Sequence, residues 1–176
     1  MNTFMIVQTL GIITIIASVI MHQQKSKEKF LLMTLFVFTL LTIQYFLTDK
    51  LTGAIVSIII IIRAIVYYFY KKKGLKPSVR VFVAFTIVML ISGYFTWYNW
   101  LSILPLITGI VTGWGVWQDN MRYTRRTLMV GRISLLAYNF TAGMYTAMIS
   151  KFIEMVSIGI AMWRYDRKKS RVEGEK

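Results

Sequence analysis

"TGAIVSIIIIIRAIVYYFY", residues 52–70, is a nearly unbroken apolar run with one permanent charge, Arg63, inside it. A helix crosses the hydrocarbon core of a bilayer with about 20 mostly apolar residues, and this stretch meets that requirement. The rest of the chain has the same character. Of its 176 residues, 56% are hydrophobic and 16% charged, whereas soluble domains have about 45–50% apolar and roughly 25% charged residues. A soluble core of this size could not hide so much apolar surface. The fold class expected is therefore all-α: a polytopic membrane protein.

Seven windows qualify as spans: 3–21, 30–48, 51–70, 79–97, 100–117, 127–146 and 148–165. Polar or turn-forming residues punctuate them at Asp49, Lys50, Gly74, Pro77 and Asn99. The fifth window contains Pro105 and several glycines, and the seventh carries Lys151 and Glu154. These two are the least regular.

The net charge of +14 follows the connections between windows. All but four of the 21 Lys and Arg residues fall in 22–29, 71–80, 122–126 or the segment from Arg164 onward. The exceptions are Lys50, Arg63, Arg132 and Lys151. Positive charge accumulates on cytoplasmic loops, which predicts an outside N-terminus, a cytoplasmic C-terminus and an odd number of spans. Nucleic-acid binding is not expected, since the charges do not gather on a soluble face with aromatic or groove-reading elements. The basic segments 71–76 and 164–171 suit anionic lipid headgroups at the cytoplasmic face, or simply solvated ends. Tyr67, Tyr68, Tyr70, Tyr94, Trp97, Tyr98 and Trp100 are expected to form interfacial belts.

The N-terminal "MNTFMIVQTLG" lacks the basic start and small-residue exit of a cleaved signal. The chain has no cysteine, which removes disulfides, thiolate catalysis and cysteine metal sites. It also has no phosphate-binding G-x-x-x-x-G-K-[ST] loop, no H-E-x-x-H and no nucleophile elbow. Its one histidine, His22, is weak ground for a metal. No catalytic residue, metal or cofactor is expected, and the protein is expected not to be an enzyme.

The two ends of the chain share a spacing. Shifted by 98, Gly11, Thr14, Ser18 and His22 meet Gly109, Thr112, Val116 and Asn120, each set lying along one helical face. Shifted by 95, Gln44 meets Asn139; shifted by 97, Gly53, Ser57, Ile60 and Ala64 meet Ser150, Glu154, Ser157 and Ala161. The economical division is a three-helix repeat over 1–73, a linker transmembrane helix over 74–98, a second repeat over 99–169 and a cytoplasmic tail over 170–176. Both repeats would begin outside, giving a 3+1+3 parallel-repeat arrangement.

The stretches "YFLTDKLTGAIVSIIIIIRAIVYY" at 45–68 and "YNFTAGMYTAMISKFIEMVSIGIAMWR" at 138–164 resemble the YgjV-like family of bacterial inner-membrane proteins. That resemblance implies residence in the cytoplasmic membrane. It also implies kinship with three-plus-one-plus-three helix proteins, among them the SWEET and SemiSWEET sugar transporters, PQ-loop carriers and PnuC-type vitamin transporters. Neither Pro77 nor Pro105 precedes glutamine, so the chain departs from the PQ-loop pattern.

A charge at a helix centre costs at least about 2.5–3.5 kcal/mol, so polar residues within spans are the site candidates. Arg63 either snorkels to the basic interface, pairs structurally with an acidic or carbonyl partner inside the bundle, or holds an anion there. Glu154 either pairs locally with Lys151 or serves as a substrate-contacting or protonatable carboxylate. Arg132 lies about 8 Å into a span that begins at Thr127, near enough to snorkel. Asn139 and Gln44 suit hydrogen bonds across helices or solute contact, and Ser57 shares the small-residue face that matches Glu154. Gly109-x-x-x-Gly113 supplies a close-packing face, and a homo-oligomer remains open. The set Arg63, Glu154, Asn139, Gln44, Ser57 and Arg132 points to a carrier or facilitator of an unidentified small solute. A non-transporting scaffold or regulator with structural polar residues is the alternative.

Overall fold

The computed structural model describes residues 3–48, 51–95, 100, 103–141 and 145–174; the side chains of residues 3, 4, 51–53, 145–147 and 167–174 lie outside that description. Asp49, Lys50, Trp97, Tyr98 and Asn99 also fall outside it. Among the described residues there are seven long α-helices and no strand. They are α1 (Thr3–His22), α2 (Lys27–Leu47), α3 (Leu51–Lys72), α4 (Val79–Phe95), α5 (Ile103–Trp117), α6 (Met121–Thr141) and α7 (Tyr145–Gly174).

Local chemistry sets several boundaries. Ser26 caps α2 by accepting a hydrogen bond from the Lys29 amide. Gly74, at φ 69°, closes α3: its amide bonds the Lys71 carbonyl while the Leu75 amide reaches back to Tyr70. This is a Schellman closure, which needs a left-handed residue at that position. The Asn120 side chain accepts from the Arg122 amide, so α6 starts at Met121, six residues before the expected window. Arg122, Arg125 and Arg126 are thus helical rather than loop residues, and Arg132 lies deeper than its expected place near the end of a span. Pro105 sits in the first turn of α5, where its missing amide breaks no helical bond.

The helices pack in chain order, each against the next, and α7 closes back on α1. Basic residues gather at one end of the bundle, on helix ends and connections: Lys71 pairs with Asp119, Lys76 reaches Gln118, and Arg125 pairs with Asp166.

Buried side chains are as often polar as apolar. Thr14, Ser18, Thr34, Ser57, Thr108, Thr112 and Thr124 are buried, while Ile12, Ile16, Ile20, Ile55, Ile62, Phe69, Ile153 and Ile160 are exposed. That distribution inverts the usual rule for a protein in water and suits a hydrocarbon surround. Buried threonines satisfy their hydroxyls by donating to the carbonyl one turn back, as Thr34 does to Phe30 and Thr112 to Thr108. Met5–His22, Lys27–Leu47 and Ala54–Lys72 are each long and apolar enough to cross a membrane. The helices α4 and α5 are apolar but shorter, at about 26 and 23 Å. The charges in α6 and α7 keep their mean hydropathy below that of a simple span.

The aromatic belt requires one correction. Tyr94 and Trp100 are exposed, but Tyr67 is only 2% exposed, its ring set edge-on to Phe85 of α4. The positive-inside segment is also revised at Lys27, which is buried at the first position of α2 instead of solvated in a loop.

Small residues draw α5 and α6 together. Thr124 donates its hydroxyl to the Gly115 carbonyl at 2.7 Å, and Thr108 donates to the Gly131 carbonyl at 3.2 Å. Gly115 lies directly against Thr127, and Gly131 against Thr112 and Thr108, leaving no room for a side chain at either glycine. Gly115→Val is expected to destabilise the fold by roughly 1–3 kcal/mol through overpacking. Thermal unfolding of detergent-solubilised protein checks this, with Gly159→Ala as a control because its nearest neighbour is a flexible methionine methyl.

Candidate functional site

Glu154 is held among basic side chains from three helices. It is 3% exposed and lies on α7, nine residues after the start at Tyr145. Arg132 lies on α6, nine residues before the end at Thr141. In an antiparallel pair, residues equidistant from the turn share a level, and about 13 Å of helix separates each from that turn. The Arg132 Nε accordingly approaches Glu154 Oε2 at 2.5 Å. Both atoms lack a well-aligned hydrogen bond, so the contact is mainly Coulombic. Lys151, one turn before Glu154, donates Nζ to Oε1 at 2.6 Å.

His22, the last residue of α1, brings Nε2 within 3.9 Å of Oε2, too far for a hydrogen bond, and adds a charge interaction only when protonated. Next to it, the Gln23 amide donates to the Ser157 carbonyl and hydroxyl, and the Ser157 hydroxyl donates to the Val19 carbonyl. These contacts pin α1 to α7 one turn from the carboxylate. An arginine, a lysine and a histidine therefore surround one acidic group. Breaking such a buried pair on one side leaves an uncompensated charge and costs about 3–5 kcal/mol.

The other expected site residues divide. Arg63 does not join Glu154. It is 7% exposed on α3 and points inward, its guanidinium against the bare face of Gly113 on α5 with Phe82 of α4 nearby. The inward direction replaces the snorkelling alternative, and Arg63 forms no ion pair with a described residue. Arg132 likewise pairs inside the bundle instead of snorkelling. Gln44 packs on Gly11, its amide making a long 3.4 Å hydrogen bond to the Val7 carbonyl, so it ties α2 to α1. Asn139 and Ser57 are buried in α6 and α3 without joining the Glu154 ion pairs. The expected close-packing face also holds: Gly109 faces Met89 of α4, and Gly113 receives Arg63.

Sequence reasoning missed two features. His22 was weighed only as a metal ligand; among the described residues, no group of three His, Cys, Asp or Glu side chains could hold a metal ion. Lys27 was treated only as loop charge. It donates Nζ to the Thr124 hydroxyl at 2.6 Å and lies 3.4 Å from the Gly115 carbonyl.

The ion cluster predicts a particular mutant pattern. Arg132→Gln is expected to lower stability by about 3 kcal/mol, the lower end for a broken buried pair because Lys151 still faces Glu154, whereas Arg132→Met with Lys151→Met and Glu154→Leu, which removes all three charges, should recover most of that loss. Chemical or thermal unfolding of the single and triple variants checks the difference.

A family model described as a bacterial inner membrane protein, Imp-YgjV, matches residues 5–169. No curated protein and no solved structure matches the chain. The match extends from the first helix well into the last and includes every residue of the Glu154 cluster. The chain thus belongs to the Imp-YgjV family of bacterial inner membrane proteins.

Proposed function

We propose that this inner-membrane protein is a carrier or facilitator for a small solute and has no catalytic activity. The observation that carries the reading is the sharing of Glu154 among α1, α6 and α7. Ionisable groups within a membrane bundle are costly to insert and mark solute or ion pathways more often than they mark simple packing. A carboxylate with partners on its own helix and on neighbouring helices can exchange those partners when helices shift, keeping its charge compensated. The resemblance to three-plus-one-plus-three carriers and the expected repeat support the same reading. In this account Glu154 and Arg132 form the centre, and Asn139 and Ser57 are further polar contacts.

A scaffold or regulatory role is the second reading, favoured by one specific observation: both Glu154 oxygens are already engaged by cations. Proteoliposomes screened with sugars, nucleosides and small organic anions separate the two. The carrier reading expects solute uptake that falls at least tenfold in Glu154→Gln while the variant remains monodisperse. Absence of uptake by the wild type across that panel, with Glu154→Gln reducing only folding yield, would favour the scaffold.

The basic end of the bundle is proposed to face the cytoplasm. Because the chain has no cysteine, single cysteines provide a direct test. Trp100→Cys should react with an impermeant maleimide in intact spheroplasts, and Lys73→Cys only after permeabilisation. The reverse pattern would invert the topology.

A further inference from the structure

At the basic end of the bundle, helix ends and their connections line an open cavity of about 690 Å³, within the usual size range of small-ligand pockets, about 300–1,000 Å³. Its wall contains six basic side chains and two acidic ones. Both carboxylates are already engaged, Asp119 by Lys71 and Asp166 by Arg125. Positive charge therefore remains in excess around the space.

Two of the cations are deeply buried. Arg125 is 3% exposed, and besides Asp166 it donates to the Gln24 carbonyl at 2.9 Å. Lys27 is 6% exposed and has only neutral hydrogen-bond partners, the Thr124 hydroxyl and the Gly115 carbonyl. Among the described residues, no carboxylate forms an ion pair with this ammonium. A buried cation with neutral neighbours is costly unless an anion compensates it.

The backbone adds to the same field. The N-terminal ends of two 21-residue helices, α2 at Ser26–Lys27 and α6 at Asn120–Met121, line the cavity. Helix N-termini carry partial positive charge suited to phosphate oxygens, although the Ser26 and Asn120 side chains already accept from one amide each, those of Lys29 and Arg122. At the edge, Arg164 and Arg125 lie beside the Tyr165 ring, 5.5 and 5.2 Å from its centroid.

We propose that this cavity is a binding site for a phosphate group, with Lys27 and Arg125 as its buried cations and Arg164 as an exposed contact. The assignment is independent of whether Glu154 serves solute transport. Phosphate monoesters in solution and the phosphodiester headgroup of an anionic lipid present the same chemistry, and the site accepts either source.

The test uses full-length protein in nanodiscs of pure phosphatidylcholine or of phosphatidylcholine with phosphatidylglycerol. Inorganic phosphate and glycerol phosphate are titrated into the neutral nanodiscs, while lipid retained by the purified protein is measured by native mass spectrometry. A saturable, salt-sensitive thermal shift with either soluble probe identifies a soluble phosphate as ligand. Stoichiometric retention of phosphatidylglycerol identifies the headgroup. In either case Arg164→Gln should weaken binding roughly tenfold, the effect of one charge-assisted hydrogen bond, and Lys27→Gln should weaken it further. Arg164 is exposed, so its variant tests the proposal even if Lys27→Gln folds poorly. Absence of both signals in the wild type, or binding unchanged in Arg164→Gln and in a folded Lys27→Gln, would overturn the assignment.

Discussion

The ion pair between Arg132 and Glu154 is the constraint on which the interior depends. A carboxylate in an apolar surround requires compensation, and here it comes from α6, from one turn earlier on α7 and from the end of α1. Because those partners belong to three helices, the charge requirement also fixes geometry. Residues nine positions from the facing ends of α6 and α7 must come to one level, and α1 must end beside them. The Gln23–Ser157–Val19 hydrogen bonds hold the same junction through neutral groups. Buried ion pairs often contribute little net stability relative to apolar substitutes. What this pair supplies is register among helices whose lipid-facing surfaces are otherwise uniform.

Two separate polar regions result. The Glu154 cluster joins α1, α6 and α7. Arg63 and Lys27 lie instead along the contacts of α2 and α3 with α5 and α6, where Gly113, Gly115 and Thr124 receive them. The second region has cations without an ion-pairing carboxylate and adjoins the basic cavity at Lys27. The cations of the first share a carboxylate within the chain, and the second is open to an anion from outside it. Their chemical roles are therefore distinct, although one bundle positions both.

Much of the architecture was legible in the sequence because bilayer-spanning helices impose length and hydropathy directly. Seven helices occur where seven windows were expected, and Glu154 stood out as an acidic residue inside a span. Its pairing with Lys151 was readable from a separation of one helical turn. Its pairing with His22 was not, since that contact depends on α7 closing against α1. The burial of Lys27 was hidden because a basic residue beside a span end normally reaches solvent; here the small Gly115 and the Thr124 hydroxyl make room for it. Arg132 was placed too near the interface because the polar first turns of α6 look like loop until Asn120 is seen to cap them. Tyr67 was misassigned for a similar reason: aromatic residues near a span end suit the interface, but its helical face points to Phe85.

The central claim is that Glu154 and Arg132 are in contact within the folded bundle in a lipid bilayer. Solid-state NMR dipolar recoupling between the labelled Arg132 side-chain nitrogen and the Glu154 carboxyl carbon tests it most directly. Rapid dephasing, as expected for directly apposed charged groups, is the predicted result, and it should vanish in Arg132→Gln. Absence of coupling in the folded wild type would contradict the account.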